Sequence, residues 1–437
     1  MLEPILLRQT SGVCPTCLRV VNASVVSKDG AVYLSKECAA HGYSELKIWP
    51  DVQHYNWMSA FHFQTAQPLA VTTLKAGCPR DCGPCPDHLR RPTLVEIEVT
   101  RRCNLCCPVC FMSAEGVDRD PELEIFEQMF RNIREQAGTT PGIQLTGGEP
   151  TVRRDLPDIV RRGREAGFDG IEVNTNGVVI SNNVEYLERL KSAGLTGIYL
   201  QFDGLNPDVY RRLRGANLLA TKLKAIENCR RVGLQVVLAM TIIDGLNLGD
   251  LGDVLRFALE NVDVVAGLAL QPAFTSGRFE VGAPRRLSMG DIIFELAKQS
   301  DGLLNPYDFY PLGCSHPLCS CGSYLYQKCN SGFVSLSREV TPQQYADAFN
   351  QTSPQGSVLR DIAFQRPEAQ GRGLSVVIMN YMDAVTIQLD RLRECSMVVA
   401  TPDRRMLPFC SYHLTSCDGQ RIHTACKSED ALVGVSS

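Results

Sequence analysis

The chain has 437 residues, with 44 lysines and arginines against 48 aspartates and glutamates for a net charge of −4. At roughly 150 residues per domain it has room for about three units and a full hydrophobic core. With 44% hydrophobic and 21% charged residues it is neither disordered nor fibrous, and its charge gives no polyelectrolyte reason to bind nucleic acid. The unusual quantity is cysteine, of which there are 19, nearly all in groups.

The opening MLEPILLRQTSG has no apolar stretch of signal-peptide length. The expectation is therefore a cytoplasmic chain, where thiols stay reduced and grouped cysteines bind metal more often than they form disulfides. No apolar run approaches the roughly 18 residues that span a bilayer; the best candidate, Leu234 to Ile243, has strand length.

Residues 1–70 read as a small metal domain. Cys14-Pro-Thr-Cys17 and Cys38-Ala-Ala-His41 give C-x2-C and C-x2-H, a ribbon whose soft and borderline ligands suit one tetrahedral ion, either zinc or rubredoxin-like iron. Residues 71–92 contain CPRDCGPCPDH, in which Cys78, Cys82 and Cys85 form C-x3-C-x2-C. This spacing can hold an auxiliary 4Fe-4S cluster with a fourth ligand from elsewhere or an open iron, with a zinc site as the alternative.

Over 93–280, short β-branched runs alternate with helical patterns. The predicted strands are 94–100, 142–148, 170–177, 197–204, 234–243 and 267–274, and most of the intervening helical tracts close on a glycine. Such alternation signals βα units and a parallel sheet. Six units make an α/β fold with a partial (β/α)6 TIM barrel, short of the eight a complete barrel needs, with its site at the C-terminal strand ends.

After the first strand comes TRRCNLCCPVCF, where Cys103, Cys107 and Cys110 repeat C-x3-C-x2-C. Three thiolates from one loop hold three irons of a cubane and leave the fourth without a protein ligand; structural zinc would want a closed set of four. Cys106 falls outside the pattern and reads as a loop cysteine. One βα unit later stands Gly147-Gly148-Glu149-Pro150.

Residues 281–437 form a C-terminal auxiliary-cluster region. Cys314, Cys319, Cys395 and Cys410 are the predicted cluster ligands, and Cys321, Cys329, Cys417 and Cys426 read as free thiols. Cys229 reads as a small core residue, and His88 and His316 as hydrogen-bonded loop histidines. The tract 343–373 is rich in Gln, Pro, Ser and Gly and reads as a loop-rich connection, with a helical tract, AVTIQLDRLREC, shortly after it.

The cysteine loop, its strand context and the GGEP resemble the radical S-adenosylmethionine (SAM) superfamily. The resemblance implies that the open iron of the Cys103/Cys107/Cys110 cluster chelates SAM and that Gly147, Gly148 and Glu149 line its methionine amino group. It also implies that Asn174, Thr175, Asn176, Gln201, Phe202 and Asp203 sit where the rest of the cofactor lies. More widely, CPTC, ECAAHG, CPRDCGPCPDH, QLTGGEPT, IYLQFDG, CSHPLC, MNYMDA and ATPDRRMLPFC resemble the tetraether lipid synthases, a set once described as pterin-dimethyltransferase-like. That likeness implies about three 4Fe-4S clusters, one mononuclear zinc or iron, and a low-potential electron donor such as ferredoxin or flavodoxin. It further implies radical joining of lipid alkyl-chain ends with peripheral membrane contact. The alternative is a radical methyltransferase or oxidoreductase acting on a small soluble substrate such as a pterin.

Overall fold

The computed structural model describes residues 3–112, 119–282, 285–328, 332–351, 358–366 and 369–423; Cys329 and Cys426 lie outside them. Strands β1 (Ile5–Val13), β2 (Val20–Lys28), β3 (Ala31–Cys38) and β4 (Gly42–Trp49) form an antiparallel meander. Helix α1 (Val52–Ser59) follows, N-capped by Asp51, whose side chain accepts a 2.7 Å bond from the His54 N–H.

The central region supplies β5 (Leu94–Thr100), β6 (Val109–Cys110), α2 (Leu123–Ala137), β7 (Gly142–Gly147), α3 (Leu156–Glu165) and β8 (Ile171–Thr175). It continues with α4 (Val178–Asn182), α5 (Val184–Ser192), β9 (Gly197–Gln201), α6 (Pro207–Arg214), α7 (Leu219–Val232), β10 (Gln235–Ile242), α8 (Leu251–Glu260) and β11 (Val265–Pro272). The C-terminal region adds β12 (Arg278–Phe279), α9 (Met289–Gln299), β13 (Tyr310–Pro311), β14 (Ser320–Lys328), β15 (Gly332–Ser335), α10 (Pro342–Gln351) and α11 (Val358–Phe364). It ends with β16 (Ala369–Met379), α12 (Leu389–Arg393), β17 (Met397–Ala400), β18 (Met406–Pro408) and α13 (Phe409–Tyr412).

The six predicted βα strands lie side by side in chain order, β5-β7-β8-β9-β10-β11, all parallel. Two further parallel strands flank them, β17 against β5 and β16 against β11. Among the described residues no ladder joins β16 to β17, so the array is an open barrel. Antiparallel β14 and β18 extend its edges.

Residue alternation explains the layering. Val95, Ile97 and Val99 of β5, and Ile143 and Leu145 of β7, are at most 1% exposed and belong to the main apolar core with Phe126, Phe130 and Ile133 of α2; each such side chain contributes about 1.5–3 kcal/mol by leaving water. The intervening positions Glu96, Gln144, Asn174 and Tyr199 face the barrel interior and line a cavity there. A strand buried on both faces usually reads as continuously apolar; here the alternation marks a polar interior.

The tract 343–373 is not loop-rich throughout: its described residues include α10, α11 and the start of β16. Tyr345 and Phe349, one helical turn apart on α10, are each 2% exposed in a satellite core with Tyr310 and Phe61, and that packing outweighs the weak local propensity. The predicted tract AVTIQLDRLREC is helical only over α12. No helix among the described residues is long and apolar enough to cross a membrane.

Candidate active site

The loop after β5 carries Cys103, Cys107 and Cys110 to the C-terminal mouth of the barrel, where all three line one cavity. Its far end is pinned by a short ladder in which Cys110 faces Arg278 and Val109 faces Phe279. Its near end is zipped to the glycine stretch: the Gly148 N–H donates to the Thr100 carbonyl and the Glu149 N–H to the Arg102 carbonyl, both at 2.8 Å. A Cβ on Gly148 would stand 2.2 Å from the Arg102 carbonyl oxygen, and one on Gly147 (φ +131°) 2.1 Å from that of Thr100. Glycine is required here because the chain itself approaches that closely.

Burial, with the nearby Glu149, Cys107 and Cys110, pushes the Cys103 thiol up to about 11. Burial raises the Cys107 thiol as well, and buried thiols become good ligands once a cationic iron compensates the thiolate charge. The Leu105 N–H already points at the Cys103 sulfur, at 3.4 Å. The donor set fits a three-cysteine cubane. Cys106 is exposed and accepts a 2.9 Å bond from Arg278, apart from the triad.

Gly147, Gly148, Glu149, Asn174, Thr175, Asn176 and Gln201 line the same cavity. Glu149 is 1% exposed, and its oxygens accept from Thr151 N–H (3.1 Å), Thr151 Oγ1 (2.5 Å), Thr175 Oγ1 (2.6 Å) and Asn176 N–H (2.6 Å). This joins the ends of β7 and β8 into one rim. Asn176 Nδ2 donates to Asn104 Oδ1 at 2.7 Å, tying that rim to the cysteine loop.

Asp203 does not line the cavity. It is 0% exposed, and both its oxygens accept from Arg214 at 2.7 Å. Arg214 does line it, and it also donates through Nη1 to the Val109 carbonyl at 2.9 Å and through Nη2 to Thr241 Oγ1 at 3.1 Å. Beneath the rim Lys222 is fully buried, donates to the Asn176 carbonyl and to Gln201 Oε1 (3.0 Å), and is lowered by burial to about 8. Arg214 and Lys222 were not singled out from the sequence, where they look like helix-surface cations of α6 and α7. The signal that could have found them is their place on the inner face of an amphipathic helix.

In the ribbon, the ligand atoms of Cys14, Cys17, Cys38 and His41 all lie within 4.8 Å of one another, with His41 Nδ1 3.5 Å from both Cys14 and Cys38 Sγ. These four fit one tetrahedral ion. Cys319, Cys395 and Cys410 lie close enough to act electrostatically on one another, while Cys314 acts on Tyr345 together with Cys321. The loop of Cys78, Cys82 and Cys85 packs on the segment carrying Cys410: Ser411 Oγ donates to the Pro79 carbonyl at 2.9 Å, and Cys82 and Cys410 share one apolar cluster. His88 hydrogen-bonds the Cys395 carbonyl through Nε2 at 2.9 Å, and His316 Nδ1 accepts from the Leu318 N–H at 3.2 Å. Both are the hydrogen-bonded loop histidines expected. Cys229 and Cys321 are 0% exposed, and Cys417 is exposed.

The same cavity is also lined by an aromatic wall of Phe111, Phe274, Tyr381 and Phe409, with ring centroids 4.5–6.2 Å apart in contacting pairs. Phe111 follows Cys110 and Phe409 precedes Cys410, so the wall brings together residues adjacent in the chain to two cysteine groups.

A profile of the radical SAM superfamily matches residues 97–258, and that of the HMPTM N-terminal zinc ribbon domain matches residues 6–50. The 7,8-dihydro-6-hydroxymethylpterin dimethyltransferase of Methanocaldococcus jannaschii is 32% identical over 93% of this chain and 93% of its own length. A probable GTP 3',8-cyclase of Sulfolobus acidocaldarius is 31% identical over 41% of this chain and 56% of its own length. The structure of Streptococcus suis SuiB bound to S-adenosylmethionine gives a TM-score of 0.40 at 19% identity, covering 48% of this chain and 47% of that one.

Proposed function

The chain belongs to the radical SAM superfamily, and we propose that it activates a C–H bond of a small, planar, polar ring of the pterin type. Cys103, Cys107 and Cys110 would hold a 4Fe-4S cluster, and Gly147 to Glu149, Thr175, Asn176 and Gln201 would hold SAM, while Asn174, expected at the cofactor from the sequence, pairs with Gln144 on the barrel floor. SAM so held would supply radical hydrogen-abstraction chemistry once one electron from a donor such as ferredoxin or flavodoxin, passed through the cluster, had split it with release of methionine. The chain's own residues position and enclose: the Glu149 rim fixes the mouth, Arg214 holds the cysteine loop, and the aromatic wall keeps water from the reacting carbon.

The observation that carries the reading is that an aromatic wall and a polar floor of Glu96, Gln144 and Asn174 line one cavity. A planar heterocycle stacks on the first and hydrogen-bonds to the second. The methyltransferase relative, whose name states a pterin substrate, agrees in substrate class. The auxiliary cysteine groups 78/82/85 and 314/319/395/410 would hold further clusters next to the wall. The test is anaerobic incubation of reconstituted protein with SAM, a reductant and 7,8-dihydro-6-hydroxymethylpterin. Substrate-dependent 5'-deoxyadenosine and a methylated or oxidised pterin are expected, and no pterin consumption under conditions that cleave SAM sinks the proposal.

A second reading, the joining of lipid alkyl-chain ends, is favoured by the apolar part of the same lining, Leu105, Val109, Met112, Ala273 and Met379 with the aromatic wall. Lipid analysis of a host expressing the chain tests it: new coupled lipids that vanish when Cys103, Cys107 and Cys110 are replaced support it, and an unchanged lipid profile rejects it.

A further inference from the structure

The barrel floor holds acceptors that no contact above uses. Glu96, from β5, is 3% exposed and lines the cavity, and its Oε2 has no hydrogen-bond partner. Asn174, from β8, lines it too, and its Oδ1 is likewise without a partner. On β7 between them, Gln144 spends its Nε2 on Glu172 (3.2 Å), and its Oε1 accepts from Asn174 Nδ2 at 3.4 Å. On β9, the Tyr199 hydroxyl accepts from Gln271 Nε2 at 2.7 Å. The amide donors of the floor are thus used among its own side chains, and two acceptor oxygens are left buried and without partners on side chains that line the cavity. Each such buried, unpaired acceptor is destabilising, a cost removed by a ligand that brings N–H groups.

We infer that Glu96, assisted by Asn174, is a specificity-determining residue that reads an edge of the substrate carrying a ring N–H beside an exocyclic amino group. That edge is found in the 2-amino-4-oxopyrimidine ring shared by pterins and guanines. The inference rests on the heterocycle reading of the site and names the part of the ring recognised. A carboxylate accepts two parallel N–H bonds in one plane and gains more from them than a neutral acceptor does. Burial raises the empty carboxyl, so the incoming N–H pair displaces its proton to solvent; no bond to carbon is made or broken. An alkyl chain has no donor to offer these oxygens.

The reconstituted protein is titrated by fluorescence with 6-hydroxymethylpterin and with its analogue bearing hydrogen in place of the 2-amino group. Guanine and hypoxanthine serve as a second, competing pair that differs in the same group. Wild type should prefer the amino member of each pair by about tenfold or more, and the near-isosteric Glu96→Gln should bring the preference to within about twofold. Unchanged iron content shows that the variant has folded. Glu96→Asp, which keeps the charge but withdraws it, should fall between the two and serves if Glu96→Gln does not fold. An amino preference that survives in Glu96→Gln, or that is absent from wild type in both pairs, overturns the inference. A Glu96-dependent preference for guanine with no pterin binding supports it while rejecting the pterin reading.

Discussion

Arg214 grips Asp203 through two 2.7 Å hydrogen bonds, with the side chains 6% and 0% exposed, and extends a third donor to the carbonyl of Val109, the residue before Cys110. The acid at the end of β9 therefore acts on the cysteine loop from a distance, through a cation on α6. Removing one partner of such a pair leaves an uncompensated buried charge, which costs about 3–5 kcal/mol. Asp203→Ala should lower unfolding stability by that order and reduce iron retained at the mouth. A double change, Asp203→Leu with Arg214→Met, should recover much of the stability but not the iron. Denaturant unfolding and iron content check both, and a fully stable Asp203→Ala refutes the coupling.

The two C-x3-C-x2-C loops should separate by function. Replacing Cys103, Cys107 and Cys110 by Ala should abolish 5'-deoxyadenosine formation, while replacing Cys78, Cys82 and Cys85 should leave cleavage measurable and remove product. Equal loss in both would mean that the wrong loop has been assigned to SAM. Gly148→Ala should resemble the first triple in effect. Its Cβ meets backbone at 2.2 Å, an overlap that only a shift of the cysteine loop relieves, at roughly 1–3 kcal/mol.

Metal analysis of anaerobically reconstituted protein should give about three 4Fe-4S clusters and one mononuclear ion. About four irons and no further metal would leave the mouth cluster alone. Chelation of the ribbon ion should loosen residues 6–50, because ligand binding and folding are coupled in so small a unit. Limited proteolysis before and after chelation reads this directly, and an unchanged cleavage pattern counts against a structural ion.

Burial, helped by the charge of Glu98, pushes the Glu96 carboxyl up to about 8. The folded chain therefore holds a proton there that the unfolded chain has released. Between the usual glutamate value near 4.5 and about 8, Glu96 contributes stability at the acid end that is lost as pH rises, at up to about 1.4 kcal/mol per pH unit. The groups whose charges bear on it are Glu98 on its own strand, Tyr199 on β9 and Tyr381 after β16. Glu96→Gln should flatten this part of the stability–pH profile between about pH 5 and 8. Parallel profiles for wild type and variant would show that the carboxyl titrates normally.

Much of the site was legible without coordinates because its chemistry is local in sequence. A thiol loop of fixed spacing after a strand, and a glycine pair before an acid one βα unit on, can be read by eye, and β5 and β7 to β11 start and stop within about three residues of the predicted strands. The polar alternation of LVEIEVT and GIQLTG was also visible, yet it was not used to predict a polar barrel floor. Asp203 shows the opposite case: its position at a strand end was readable, but not that its carboxylate turns away from the cavity toward Arg214.

The sequence by itself determined the cysteine and histidine spacing of the ribbon and of the barrel mouth and the order of the six βα strands, because residue spacing and hydrophobic period are properties of short segments. Only the tertiary structure decided that β16 and β17, from a region read as separate, complete the parallel array from both edges. It alone also decided that Phe111 and Phe409, some 300 residues apart, meet in one wall with ring centroids 5.6 Å apart, and that Glu96 keeps an acceptor free. The physical reason is that these contacts join residues far apart in the chain, whose pairing depends on which buried faces fit together and which polar atoms are left without partners once they have; no local spacing records that outcome.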